Sequence, residues 1–248
     1  MPLLWKAGKC MRERTKRTEM LLGSEAIGRL GASRVAVVGL GGVGSWCAEA
    51  LARSGIGRLV LIDSDAVAES NINRQLGALY STLGRPKAEV LAERLRDIAP
   101  DAEILPVQAL YSSETRDEAL PEGLDYIADC IDLVSCKTDL IATAVQRGIP
   151  IISALGTGNK LDAQQLRLTD LADTSGCPFA RVMRRELRRL GIEHLDVVFS
   201  PEQAHECAQP ETPPPGRRSV PGSVAWVPAS AGLLMAQKIV LALAGAEG

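Results

Sequence analysis

At 248 residues, 46% of them hydrophobic and 23% charged, the chain is long enough for one large α/β domain with a substantial core and short for two. A formal net charge of -2 and a sequence pI near 5.8 exclude a protein that coats nucleic acid over its whole surface, so any RNA contact has to be a local patch. The six cysteines (Cys10, Cys47, Cys130, Cys136, Cys177, Cys207) are scattered with no CxxC pair, which excludes a zinc knuckle or a thioredoxin-type dithiol and reads as reduced thiols in a cytosol.

In chain order, residues 1–22 read as a basic N-terminal arm (Lys6, Lys9, Arg12, Arg14, Lys16, Arg17) without the apolar stretch of a signal peptide. No segment reads as long and apolar enough to span a bilayer. From residue 23 to 160, short Val- and Ile-rich runs alternate with helical patterns, the signature of βαβ units in a parallel sheet. Strands are expected at Arg34 to Gly39, Leu59 to Asp63, Glu103 to Val107, Tyr126 to Asp132 and Pro150 to Ala154. A helix from Ser45 to Ser54 stops at Gly55 and Gly57, and another from Lys87 to Ile98 repeats apolar residues at Val90, Leu91, Leu95 and Ile98 before Pro100.

The remainder, 161–248, reads as a small α+β extension of the same domain. Strands at Gln165 to Thr169 and Asp196 to Ser200 flank an arginine-rich helix from Phe179 to Leu190. Residues 209–222 hold five prolines and read as an extended loop. Val224 to Val227 reads as a last strand. Ala231 to Leu243 is a helix apolar nearly all round, hence buried in the core or at a subunit interface.

Gly39, Gly41 and Gly44 satisfy GxGxxG directly after a strand and before a helix, with Asp63 at the end of the next strand. Glycines there let backbone N–H groups approach phosphates at a helix N-terminus, and the acid is placed for a ribose hydroxyl. Alone, these residues favour NAD, and a nicotinamide-dependent oxidoreductase is the alternative from another class. Asn71, Arg74 and Lys87, which follow Asp63, point elsewhere. Hydride transfer needs no cationic pair there, whereas a triphosphate attacked at its α-phosphorus does, because charge grows on its oxygens.

The strings GLGGVGS (39–45), IDSDAVAESNINRQ (62–75), GRPK (84–87) and Ile131-Asp132 resemble the adenylation domain shared by ubiquitin-activating, sulfur-carrier-activating and threonylcarbamoyladenosine dehydratase enzymes. The likeness runs from about Arg14 to Gly158 and is weaker beyond. It implies a Rossmann-like, doubly wound, mostly parallel α/β fold that uses ATP and Mg2+. Gly39, Gly41, Gly42 and Gly44 would then form the phosphate loop, with Asp63 on the ribose. Ser70, Asn71, Arg74 and Lys87 would surround the phosphates, and Asp132 would hold the metal. The resemblance also implies a homodimer in which Arg14 or Arg17 reaches into the partner's site. Three further stretches, 17–23, 50–57 and 156–162, resemble the dehydratase branch, whose substrate is the threonine carboxylate of N6-threonylcarbamoyladenosine in tRNA. Adenylation of the C-terminal glycine of a ubiquitin-like or sulfur-carrier protein is the alternative within the class, and a sulfur-transfer partner is compatible with it. Two residues depart from the dehydratase pattern: Gly77 replaces a histidine, and Leu133 replaces a hydroxyl residue.

Several residues keep two readings. Asp132 at the end of a strand is a metal ligand or a helix cap. Asp65 orients Arg74 or is a plain loop carboxylate. Cys177 is a thioester nucleophile, as in ubiquitin-activating relatives, or a structural thiol with no histidine nearby in sequence to activate it. His194 and His205 read as surface residues. Arg181, Arg184, Arg185, Arg188 and Arg189 fall on one helical stripe, as a solvated face or as a phosphate track for tRNA that Arg217 and Arg218 extend.

Overall fold

The computed structural model describes residues 7–208 and 220–246, with side chains from residue 13 onward. The chain opens with helices α1 (Ala7–Leu22) and α2 (Ser24–Ala32), then alternates β1 (Arg34–Val38), α3 (Gly44–Ser54), β2 (Arg58–Ile62), α4 (Lys87–Ile98) and β3 (Glu103–Val107). It continues through α5 (Arg116–Ala119), β4 (Tyr126–Asp129), α6 (Val134–Arg147), β5 (Ile151–Leu155), β6 (Arg167–Asp170), α7 (Pro178–Arg188) and β7 (Asp196–Phe199) to the long α8 (Trp226–Ala244).

These strands form one seven-stranded sheet in the order β3-β2-β1-β4-β5-β7-β6, parallel throughout except for the antiparallel β6–β7 pair at one edge. Alternation along each strand divides the core in two. In β1, Val35 and Val37 face the layer built from α2, α3, α4 and α8, while Ala36 and Val38 face the layer built from α6 and α7. Both sheet faces are thus covered by helices, the doubly wound arrangement that the alternation of elements predicts. The strand order reverses between β1 and β4, which opens a crevice at their C-terminal ends, the place where open α/β sheets take ligands.

Several boundaries differ from the sequence reading. The fourth strand stops at Asp129 because the Asp129 carboxylate accepts the Ile131 N–H at 3.1 Å and turns the chain, so Asp132 lies in a loop. No strand forms at Val224 to Val227, since α8 starts at Trp226. Pro228 sits in its first turn, where a missing N–H costs nothing, and would instead break a ladder. Helices α1, α2, α5 and α6 have no counterpart among the helices that the sequence predicts. By length and composition α8 is sufficient to cross a bilayer, contrary to the sequence reading, but Ala231, Met235 and Ile239 bury its face in the core. Most of the proline-rich segment, with Arg217 and Arg218, lies outside the described residues.

Candidate functional site

The crevice contains a cavity of ≈ 690 Å3. Gly39, Gly41, Gly42, Asp63, Asp65, Asn71, Arg74, Lys87 and Asp132 all line it, so residues spread over almost a hundred positions meet in one place. Gly44 lies just behind, as the first residue of α3. Ser70 is outside the lining and contributes its carbonyl oxygen to Arg74.

The phosphate loop is forced on glycine by contact. Gly39 has φ 89°, and a Cβ there would lie 2.7 Å from the Cys130 carbonyl oxygen; a Cβ on Gly44 would lie 1.8 Å from the Gly39 carbonyl oxygen. Asp63 fastens the loop to the end of β2. Its Oδ2 accepts the Leu40 N–H at 2.6 Å and its Oδ1 accepts the Asp65 N–H at 2.8 Å. Burial pushes the Asp63 carboxyl above its ordinary range, although Lys87 and the two amides pull the other way.

Two cations face the loop. Lys87 is buried, and its Nζ donates to Asp65 Oδ2 at 2.8 Å, while its backbone N–H donates to the Asp65 carbonyl at 2.9 Å. Asp65 therefore holds Lys87 and not Arg74. Arg74 Nη1 donates to the Ser70 carbonyl at 2.9 Å and to Asn73 Oδ1 at 2.8 Å. Burial alone pulls the Arg74 guanidinium below its ordinary value, as for a cation with no carboxylate close enough to compensate. Such a site draws an anion.

Beneath it lies a fully buried polar cluster that the sequence reading missed. Lys137 Nζ donates to Asp129 Oδ2 at 2.7 Å and to Ser153 Oγ at 2.9 Å, and Ser153 Oγ–H also donates to Asp129 Oδ2 at 2.7 Å. With Ile131 N–H on the other carboxylate oxygen, this cluster sets the turn that carries Asp132 to the cavity. A lysine inside an apolar helical period was the signal available. Tyr111 also lines the cavity, with its hydroxyl donating to Asp139 Oδ2 at 2.9 Å; burial raises its pKa above the ordinary phenol value.

Other expected residues fall elsewhere. Arg14 is away from the cavity: its guanidinium donates to the Ala52 carbonyl at 2.5 Å and to Asp101 at 2.9 Å, tying α1 to the end of α3. That tie occupies the group expected to reach a partner, and leaves Arg17, which is exposed. Cys177 is buried, and its Sγ accepts the Ala180 N–H at 3.5 Å as the N-cap of α7, a structural role. The arginines of α7 do not form one uniform stripe. Helix α7 buries Ala180, Met183 and Leu187, and Arg184, flanking that face, donates to the Thr174 carbonyl at 2.6 Å. Arg185 and Arg189, both exposed, share Glu186 at 2.7 Å and 2.8 Å, and Arg181 and Arg188 are exposed as well.

The ThiF family model matches residues 15–248. The chain belongs to the ThiF family. It is 39% identical over 236 residues to the tRNA threonylcarbamoyladenosine dehydratase of Bacillus subtilis (strain 168), covering 92% of this chain and 93% of that one. The enzyme of the same name from Escherichia coli (strain K12) is 39% identical over 202 residues, covering 77% and 74%. A crystal structure of the E. coli enzyme in complex with ATP superposes with a TM-score of 0.83 at 36% identity, over 96% of this chain and 97% of that one.

Proposed function

We propose that this ThiF-family chain is an ATP-dependent tRNA threonylcarbamoyladenosine dehydratase: it adenylates the threonine carboxylate of N6-threonylcarbamoyladenosine in tRNA and closes it into a ring. The observation that carries the reading is the pairing of a glycine loop with two cations, Arg74 and Lys87, in one cavity. A dinucleotide site needs the loop and the acid, and an attacked triphosphate needs the cations as well. Likeness over nine-tenths of the chain to a dehydratase supports the choice of substrate.

In this reading the loop amides cradle the phosphates and Asp63 holds the ribose. An oxygen of the threonine carboxylate attacks the α-phosphorus, and the bond to pyrophosphate breaks. Arg74 and Lys87 take up the charge that grows on the phosphoryl oxygens. A nucleophile within the same modified nucleoside then attacks the activated acyl carbon, loses its proton and expels AMP, so that one water's worth of atoms leaves the substrate. Tethering of that nucleophile supplies most of the effective concentration.

The donor set fits Mg2+, which commonly uses one or two carboxylates together with substrate phosphates. Asp132 and Asp65 are the exposed carboxylates lining the cavity. Asp132 would hold the ion, which would neutralise phosphate charge. A homodimer with Arg17 reaching the partner's site, tRNA tracking over Arg181 and Arg188, and a cytoplasmic location beside the tRNA pool complete the proposal.

The test is to incubate the purified protein with ATP, Mg2+ and tRNA bearing the modification, then to analyse the nucleosides by mass spectrometry. The expected result is a nucleoside lighter by one water, with AMP and pyrophosphate formed in equal amounts. Unchanged tRNA, together with an acyl adenylate on the C-terminal glycine of a small sulfur-carrier protein, would replace this reading by the other adenylating one.

A further inference from the structure

Among the described residues, Asn159 is the one non-glycine residue in the left-handed region, with φ 58°. Side-chain-bearing residues keep that conformation where their surroundings over-determine it. Here two segments converge on Asn159. Its N–H donates to the Gly222 carbonyl at 2.8 Å, and its Oδ1 accepts the Gly222 N–H at 2.6 Å, a two-bond clasp. Its own carbonyl accepts the His205 N–H at 2.9 Å, and Cys207 Sγ lies 3.3 Å from Oδ1.

The clasp leads to the catalytic cation. Pro221, Gly222 and Ser223 form a strap that lines the cavity together with Gly156, Thr157 and Gly158. A Cβ on Gly158 would lie 2.9 Å from Pro221 Cβ, so the two segments touch backbone to ring. The Ser223 carbonyl accepts Asn73 Nδ2 at 3.0 Å. Because the Asn73 amide nitrogen is spent on Ser223, its oxygen points the other way, to Arg74 Nη1 at 2.8 Å. A run of hydrogen bonds thus joins Asn159 to Arg74 through the strap.

We propose that Asn159 is a positioning residue: it clamps the strap Pro221–Ser223 in the cavity wall, and the clamped strap fixes the Asn73 amide and through it the Arg74 guanidinium. Asparagine suits the position twice over, since it tolerates positive φ better than most residues and presents an acceptor to the Gly222 amide. Loss of the acceptor leaves the strap on the single bond from the residue-159 N–H to the Gly222 carbonyl, and with the strap loosened Arg74, a side chain with many rotamers, keeps the Ser70 carbonyl as its firmer anchor.

The test is a double-variant cycle of Asn159→Gly and Arg74→Ala in the full chain, read on turnover of modified tRNA and on ATP affinity by calorimetry. Glycine keeps the backbone conformation and removes the acceptor, so the melting temperature should stay at the parent's value. Turnover should fall by roughly tenfold or more, the scale of a misplaced catalytic group. The double variant should be no worse than Arg74→Ala alone, and Asn159→Asp, which retains the acceptor, should recover the loss. In hydrogen exchange followed by mass spectrometry, the peptide containing Gly222 should exchange about tenfold faster or more in Asn159→Gly. Parental turnover in Asn159→Gly, or losses that add in full, would overturn the proposal. The turnover arm rests on the dehydratase reading. Should the parent protein leave tRNA unchanged, that reading falls, and the same cycle on ATP affinity still decides the positioning role.

Discussion

Replacing Lys137 by methionine tests the buried cluster under the site. Lys137 and Asp129 both have side-chain exposures of 0%, and their oxygen and nitrogen are 2.7 Å apart. Methionine fills most of the lysine volume, so the change removes a charge with little packing loss. Asp129 would keep two neutral donors, Ser153 Oγ–H and Ile131 N–H, and lose the cationic one. Stranding one member of a buried ion pair costs about 3–5 kcal/mol. For a chain of this size each kcal/mol moves the melting midpoint by about 2–4 °C, so calorimetry should record a fall of roughly 6–20 °C. The double variant Lys137→Met with Asp129→Asn removes both charges and should recover much of that loss. If the double variant melts as low as the single one, the cost is one of shape and not of stranded charge, and the reasoning fails.

Lys87→Ala should leave the melting temperature near the parent's and lower turnover by about 10² or more, the loss expected for one donor to developing charge; turnover within twofold of the parent would remove Lys87 from the chemistry. Glu49 is buried, which pushes its carboxyl up, but hydrogen bonds and charge from Arg94 and Arg53 outweigh this and hold it below its ordinary value. A carboxylate depressed in the folded state stabilises above its unfolded pKa and loses that contribution as pH falls through its folded value. Glu49→Gln should therefore destabilise by about 1–3 kcal/mol at neutral pH and by less in acid, measured by denaturant titration at a series of pH values. Changing Arg181 and Arg188 to glutamate should weaken tRNA binding and flatten its salt dependence by roughly one unit of slope per lost phosphate contact, with ATP affinity unchanged. Equal binding at every salt concentration would make them a solvated face.

The periodic pieces of this chain are legible in the sequence alone. The strand at Glu103–Val107 and the helix at Lys87–Ile98 fall where periodicity puts them, because nothing tertiary competes with the local pattern. The glycine loop, Asp63 and Asp132 are marked by residue type near the ends of strands, Arg74 and Lys87 by the strings that follow Asp63, and the cavity gathers them. What escaped depends on contacts distant in sequence. Nothing near Arg14 announces Asp101 as its partner, and a helical wheel of α7 cannot register that Thr174 takes Arg184. Asn159 looks like an ordinary loop residue until Gly222, 63 positions away, is seen against it. Val224 to Val227 failed for the converse reason, since a short apolar run does not say whether it begins a strand or a buried helix.

Helix α8 bears on how far the nucleotide-binding half of the chain is portable. A Cβ on Gly42 would stand 3.1 Å from Pro228, and one on Gly232 would stand 2.4 Å from the Val43 carbonyl, so the final helix presses on the phosphate loop at Gly42 and Val43. Its inner residues Ala231, Met235 and Ile239 belong to the same core as β1 and α3. A fragment cut before Trp226 would expose that core and leave the loop without its backing. Excising the first half as a modular ATP-binding cassette, or grafting it onto another fold, should therefore yield an aggregating chain unless this helix travels with it.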